Sequence, residues 1–117
     1  MPHFILDCSP EILQIQEPQT TLNTVFEAAS ATGLFAIEGL GRIKVRLRPY
    51  EYFMVGNDQD NFIHVFAYIM EGRTSEQQMA LSKAVVKALK SVFPEVPIIS
   101  MNIQEFEAKN YINRGMV

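Results

Sequence analysis

The feature that most constrains the fold is a nine-residue segment, Phe62 to Met70, with the sequence FIHVFAYIM. It is apolar almost throughout, which indicates a β-strand with both faces buried, and it is too short to cross a membrane as a helix. A strand of this kind needs neighbouring strands on both sides and a covering layer over each face. The chain must therefore form a sheet, with helices or another chain packed against it.

The first half of the chain contains a strand, a helix and a second strand. Residues 2–8 are β-prone and predict a strand that begins almost at the terminus. Apolar residues then recur at helical spacing over residues 20–32, with Thr20 or Thr21 as the expected N-cap. Residues 42–47 alternate strictly between apolar and cationic side chains, which predicts a strand with one buried face.

The second half repeats this order. After Phe62 to Met70, a helix is predicted to begin at Thr74 or Ser75, with a glutamine three residues later completing a capping box. Its apolar stripe includes Leu81, Val85 and Leu89, and prolines end it. Residues 99–104 then alternate as a half-buried strand.

Together these elements predict an α+β fold built from a tandem βαβ repeat. We expect one domain over residues 1–117, with halves at about 2–48 and 61–106 joined by a polar turn at 56–61. The repeat predicts a four-stranded sheet with both helices on one face. Because the strand Phe62 to Met70 is apolar on both sides, the open sheet face is expected to bury against another chain.

Composition excludes several classes of protein. A net charge of −3 argues against general nucleic-acid binding, which requires a cationic surface. We expect no membrane span or leader, and therefore a cytoplasmic protein. The single cysteine, Cys8, cannot form an internal disulfide, and no His or Cys cluster has metal-ligand spacing.

The N-terminus carries the first candidate catalytic group. If Met1 is removed, Pro2 becomes a secondary amine at the start of a strand. An α-amine titrates at about 7.7 to 8.0, so modest desolvation or nearby cations leave it neutral and basic at pH 7. Pro2 is then a candidate general base, and the alternative is an ordinary terminal residue.

Arginines supply the candidate anion-binding groups. Arg42 opens a cationic strand face that also carries Lys44, Arg46 and Arg48, and this face either captures carboxylates or is simply solvated. Arg73 lies between a buried strand and a helix start, where free backbone amides favour anions. Its alternative role is a surface ion pair with a nearby glutamate.

Several segments in register resemble the tautomerase superfamily, and most closely 5-carboxymethyl-2-hydroxymuconate isomerase. They are the opening PHFILDCS, ATGLF at 31–35, GRIKV at 41–45 and FIHVFAYIMEGRTSEQQ at 62–78. The resemblance implies a homotrimer whose sheets line a central barrel, a small carboxylate substrate and no cofactor.

The resemblance also implies residue roles. Pro2 corresponds to the proline base, Arg73 to the arginine after the third strand, and Arg42 to the arginine opening the second strand. We further expect His64 and Phe62 to contribute to substrate binding. The expected reaction is proton transfer in a 2-hydroxymuconate-like dienol acid during degradation of aromatic acids. Decarboxylation or hydration of a small acid, or a trimer that binds without catalysis, are the alternatives.

Overall fold

The computed structural model describes residues 1–56 and 60–117, which form four strands and three α-helices. The strands are β1 (His3–Cys8), β2 (Lys44–Pro49), β3 (Phe62–Met70) and β4 (Ile98–Phe106). The helices are α1 (Ile12–Ile15), α2 (Pro18–Ala31) and α3 (Ser75–Val92). Short 3-10 helices lie at Leu40–Arg42, Ala108–Asn110 and Arg114–Met116.

The strands form one mixed sheet in the order β2-β1-β3-β4. Strands β1 and β2 are parallel, as are β3 and β4, while β1 and β3 at the centre are antiparallel. Each parallel pair is one βαβ unit, so the predicted tandem repeat, the four-stranded sheet and the α+β class are confirmed.

One face of the sheet is covered by α2 and α3, which also contact each other. Alternate residues of β1 and β3 point into this layer and are fully or almost fully buried. The two helices complete the core with side chains at helical spacing. The main core residues are Phe4, Leu6, Val25, Ala29, Ile63, Val65, Leu81, Val85 and Leu89.

The two helices begin in different ways. In α3, Thr74 accepts a hydrogen bond from the Gln77 backbone N–H, and the Gln77 side chain returns one to the Thr74 N–H, so the predicted capping box is confirmed. The predicted threonine cap of α2 is wrong. That helix begins earlier, at Pro18, because proline has no N–H to satisfy and its fixed φ suits the first helical position.

The open face of the sheet differs from the apolar surface that we expected. On β3, Phe62, Phe66 and Tyr68 give it an aromatic row, but these residues are half-buried in the single chain. On the far side of β1, the edge strand β2 presents Lys44 and two arginines there, and the other edge strand, β4, presents polar side chains. The face is therefore an aromatic ridge between charged and polar edges.

Two further expectations concern the position of Arg42 and the polar turn between the two halves of the chain. Arg42 was expected to open the second strand, but it lies in the 3-10 turn before β2. The predicted polar turn at 56–61 falls partly on residues 57–59, which lie outside the described residues. In the parts of the chain that the structure describes, no helix combines the length and apolar character that crossing a membrane requires.

Candidate active site at the N-terminus

The chain terminus lies at the edge of the sheet where β1 begins. Pro2 is buried, and its carbonyl accepts a hydrogen bond of 3.0 Å from the Lys44 backbone N–H. This bond extends the parallel pairing of β1 and β2 by one residue and fixes the position of Pro2. Met1, which precedes it, is half-buried.

Glu38 lies directly beside the terminal amine. Its Oε2 atom is 3.1 Å from the Met1 nitrogen, and its Oε1 atom is 2.6 Å from Arg73 Nη2. Oε2 is buried, and its contact with the amine is an ion pair. The carboxylate thus connects the amine to Arg73.

Arg73 is held by more than its ion pair. Nη1 donates to the Met70 carbonyl at 3.1 Å, and Nη2 donates to the Leu34 carbonyl at 2.9 Å. The guanidinium carbon lies 5.2 Å from the centre of the Phe35 ring, within cation–π range. The expected alternative, a surface pair with a neighbouring glutamate, does not occur, because the partner is Glu38 from the loop after α2.

A cavity of about 260 Å³ opens at the amine. Arg42, although it lies in a turn and not in β2, lines this cavity together with Lys44. Of the three expected catalytic residues, Arg42 thus lines the cavity, Pro2 follows Met1 at its edge, and Arg73 is connected to it through Glu38. The C-terminal segment supplies the remaining wall through Tyr111 and Asn113.

That wall is fixed by contacts with the sheet. The Ala108 N–H donates to Glu71 Oε2 at 2.6 Å, and the Tyr111 ring lies 6.1 Å from the Phe106 ring at the end of β4. A second cavity, of about 420 Å³, lies on the other side of Glu38, between the loop after α2 and the start of α3.

Burial and charge perturb both partners of the ion pair. Burial lowers the pKa of the terminal amine; Glu38 opposes this shift, while Lys44 and Arg42 add to it. Burial alone would raise the pKa of Glu38, but Arg73 and the terminal amine outweigh it and leave that pKa lowered. Near neutral pH, the site thus holds a carboxylate next to an amine that loses its proton more readily than usual.

Two expected substrate-binding residues lie elsewhere in the single chain. Phe62 opens β3 at the opposite end from Met70, about 26 Å away for a strand that rises about 3.3 Å per residue. His64 is on the open sheet face, where Nδ1 lies 2.6 Å from Ser100 Oγ and Nε2 lies 2.7 Å from Asn102 Oδ1. Neither reaches the terminal amine of its own chain.

The site contains residues that sequence reasoning did not assign to it. These residues are Glu38, Tyr111 and Asn113. All three lie outside strands and α-helices, so periodicity gives no signal for them. The described residues contain no group of three or more His, Cys, Asp or Glu side chains that is arranged to hold a metal ion.

Comparison with known proteins gives a family match and several matches of fold. The model of the family described as 5-carboxymethyl-2-hydroxymuconate isomerase matches residues 2–116. A search of curated proteins found no match.

Among solved structures, a 5-carboxymethyl-2-hydroxymuconate isomerase from Deinococcus radiodurans R1 superposes with a TM-score of 0.81 at 20% identity, over 97% of this chain and 88% of that one. A fused 4-OT, described as a symmetric trimer, superposes with a TM-score of 0.72 at 12% identity, over 98% of this chain and 96% of that one. A member of the cis-3-chloroacrylic acid dehalogenase family superposes with a TM-score of 0.70 at 15% identity, over 97% of this chain and 80% of that one. At these identities, the structural likeness shows the fold.

Proposed function

The chain belongs to the 5-carboxymethyl-2-hydroxymuconate isomerase family, and we propose that it moves a proton in a 2-hydroxymuconate-like dienol acid with the Pro2 amine as general base. One observation carries the proposal. The chain terminus lies in a cavity with two cations, Arg42 and Lys44, and with Glu38, which is paired with Arg73 behind it. A basic nitrogen beside anion-binding groups is the minimum that enolisation of a carboxylic substrate requires.

The proposed reaction begins after Met1 has been removed. The neutral Pro2 nitrogen accepts the proton of the substrate's 2-hydroxyl group, and the electron pair of that O–H bond becomes the new carbonyl. The dienol system shifts, and Pro2 returns the proton to a carbon at its far end. The product is the conjugated 2-oxo isomer, and no atom is gained or lost.

The cations serve two purposes in this scheme. Arg42 and Lys44 bind a substrate carboxylate and stabilise the negative charge that develops on the 2-oxygen. Arg73 has three of its five N–H groups engaged with Met70, Leu34 and Glu38, so at most two remain for a ligand. In this scheme Arg73 contacts the substrate only through these remaining N–H groups, while it stays paired with Glu38.

We also propose a homotrimer. The half-buried aromatic ridge on the open sheet face needs cover, and the fused 4-OT with the same fold is described as a symmetric trimer. Phe62 and His64 can then serve substrate binding only in a site completed by another copy of the chain. Sedimentation at micromolar concentration should give three times the chain mass, and a monomer would contradict this part of the proposal.

The activity is tested with protein whose intact mass shows that it begins at Pro2. Ultraviolet spectroscopy on a panel of 2-hydroxydienoates with one, two or three carboxylates should show conversion to the conjugated 2-oxo isomers. Arg42→Ala should raise KM for the substrates with more carboxylates, because it removes a cation from the cavity. A correctly processed trimer that converts none of the panel would contradict the proposed function.

Hydration of an unsaturated small acid is the second candidate. It is favoured by Glu38, because a carboxylate beside the amine is placed to activate water. The mass of the product distinguishes the two reactions, since hydration adds one water molecule to the substrate and isomerisation leaves the mass unchanged. A trimer that only binds small acids remains the alternative if the native chain keeps Met1. A cytoplasmic location also stays a prediction.

A further inference from the structure

Glu38 is the carboxylate in contact with the Met1 amine, and the proton transfer itself does not use it. Its side chain is 22% exposed, and its Oε2 atom is buried beside the Met1 nitrogen. An ionised oxygen in such a place is costly unless a positive charge lies next to it. The amine is the group that supplies this charge to Oε2.

The position of Glu38 is fixed through Arg73. That guanidinium is anchored to two backbone carbonyls and lies against Phe35, and none of these contacts involves a ligand. Because Arg73 cannot move freely, the carboxylate bonded to it at 2.6 Å cannot move freely either. The fold therefore holds the Glu38 carboxylate beside the chain terminus.

Removal of Met1 brings the new terminal nitrogen into the same environment. The Met1 and Pro2 nitrogens are separated by three bonds, so the Pro2 nitrogen lies within about 7 Å of Glu38 Oε2 by standard backbone dimensions. A substrate hydroxyl group or one water molecule spans that distance. Arg42 and Lys44 line the same cavity.

We propose that Glu38 is the counter-charge that positions the Pro2 amine and sets its protonation state, with Arg73 acting through Glu38 as a positioning residue. The inference rests on the proposed function, in which Pro2 is the base. It also assigns substrate orientation: the Glu38 carboxylate repels carboxylates from its own corner and directs them towards Arg42 and Lys44. The hydroxyl group is then left next to the amine.

The sign of the effect follows from the charges that face the amine. At the Met1 amine, burial lowers the pKa most, Arg42 and Lys44 add to this lowering and Glu38 opposes it; the Pro2 nitrogen, one residue along the chain, faces the same groups. His3 also faces the terminal amine, and Arg73 is offset by its pair with Glu38. Glu71 and Tyr111 line the adjoining cavity walls. Removal of the Glu38 charge therefore lowers the amine pKa, so the base becomes neutral at a lower pH.

Glu38→Gln tests this in the processed protein, because it keeps the side-chain size and removes the charge. NMR titration of the ¹⁵N-labelled Pro2 nitrogen should show its pKa falling by about one unit, the lower end of the effect of a close opposite charge. The acid limb of kcat/KM should move down by the same amount. The matched control is Glu76→Gln, an exposed glutamate on α3, which should leave the titration unchanged.

An unchanged amine titration in Glu38→Gln overturns the inference, since a purely structural role for Glu38 would reduce activity without shifting this pKa. If that variant does not fold, the ¹³C titration of the Glu38 carboxyl in the unmutated protein replaces it. That signal should show a second inflection at the amine pKa, and a single inflection overturns the inference. Titration does not require turnover. An inactive protein in which Glu38→Gln still shifts the pKa of the Pro2 amine would therefore contradict the proposed function but not this inference.

Discussion

Arg73→Ala should destabilise the fold as well as disturb the site. The substitution removes three hydrogen bonds and leaves the carbonyls of Leu34 and Met70 and the carboxylate of Glu38 without their donor. Loss of one partner from a buried ion pair costs about 3–5 kcal/mol. The two side chains are 15% and 22% exposed, so water compensates in part, and we expect about 3 kcal/mol.

Urea unfolding at a fixed chain concentration measures this loss, since the stability of an oligomer depends on concentration. Lys87→Ala is the control, because this lysine is exposed on α3 and its removal should cost less than about 0.5 kcal/mol. The double variant with Glu38→Ala and Arg73→Ala should lose less unfolding free energy than the two single variants lose together, because both single variants break the same ion pair. A loss below about 1 kcal/mol for Arg73→Ala would refute the anchoring role.

Other predictions concern helix α3, the cavity wall and pH. Thr74→Ala breaks the capping box and should cost about 1 kcal/mol in chemical denaturation. Leu81→Ala leaves a cavity under α3 and should cost about 2–5 kcal/mol, and a value near zero would contradict the packing. Tyr111→Ala opens the cavity wall and should raise KM by roughly tenfold, equivalent to about 1.4 kcal/mol, with little change in unfolding free energy. Because Pro2 is buried and Arg42 and Lys44 line the cavity at the chain terminus, the Pro2 amine of the processed enzyme should titrate below the usual value of about 8. Its kcat/KM should therefore rise with pH and level off below about 8, and a rise that continues above that pH would contradict the environment described.

The parts of the fold that follow from periodicity were predictable from the sequence. Strand β3 has the bounds that its apolar run predicts, and the α3 capping box follows from the residue types at its start. The start of α2 was missed because the first helical turn at Pro18 is polar and shows no apolar spacing. The alternation of β2 predicted the cationic edge of the open face, but strand pairing depends on contacts between distant residues, so periodicity alone does not tell which strand lies beside β2.

The site was only partly predictable, for a related reason. Pro2 and Arg73 adjoin strands, so their places follow once the sheet is known. Glu38 and Tyr111 belong to loops whose paths depend on tertiary contacts: the Arg73 bond to the Leu34 carbonyl in one case, and the Glu71 bond to the Ala108 N–H in the other. No local pattern records such contacts.

The most direct test of the central claim compares two forms of one protein that differ only at the terminal nitrogen. One form begins at Pro2, and the other keeps Met1, so that the Pro2 nitrogen is an amide without basicity. Both should be folded and have the same oligomeric state, which circular dichroism and sedimentation check. The account predicts that isomerisation of the best 2-hydroxydienoate is slower in the Met1 form by roughly 10²- to 10⁴-fold, the contribution of a positioned general base. Equal rates in the two forms would show that Pro2 is not the base and would contradict the proposed mechanism.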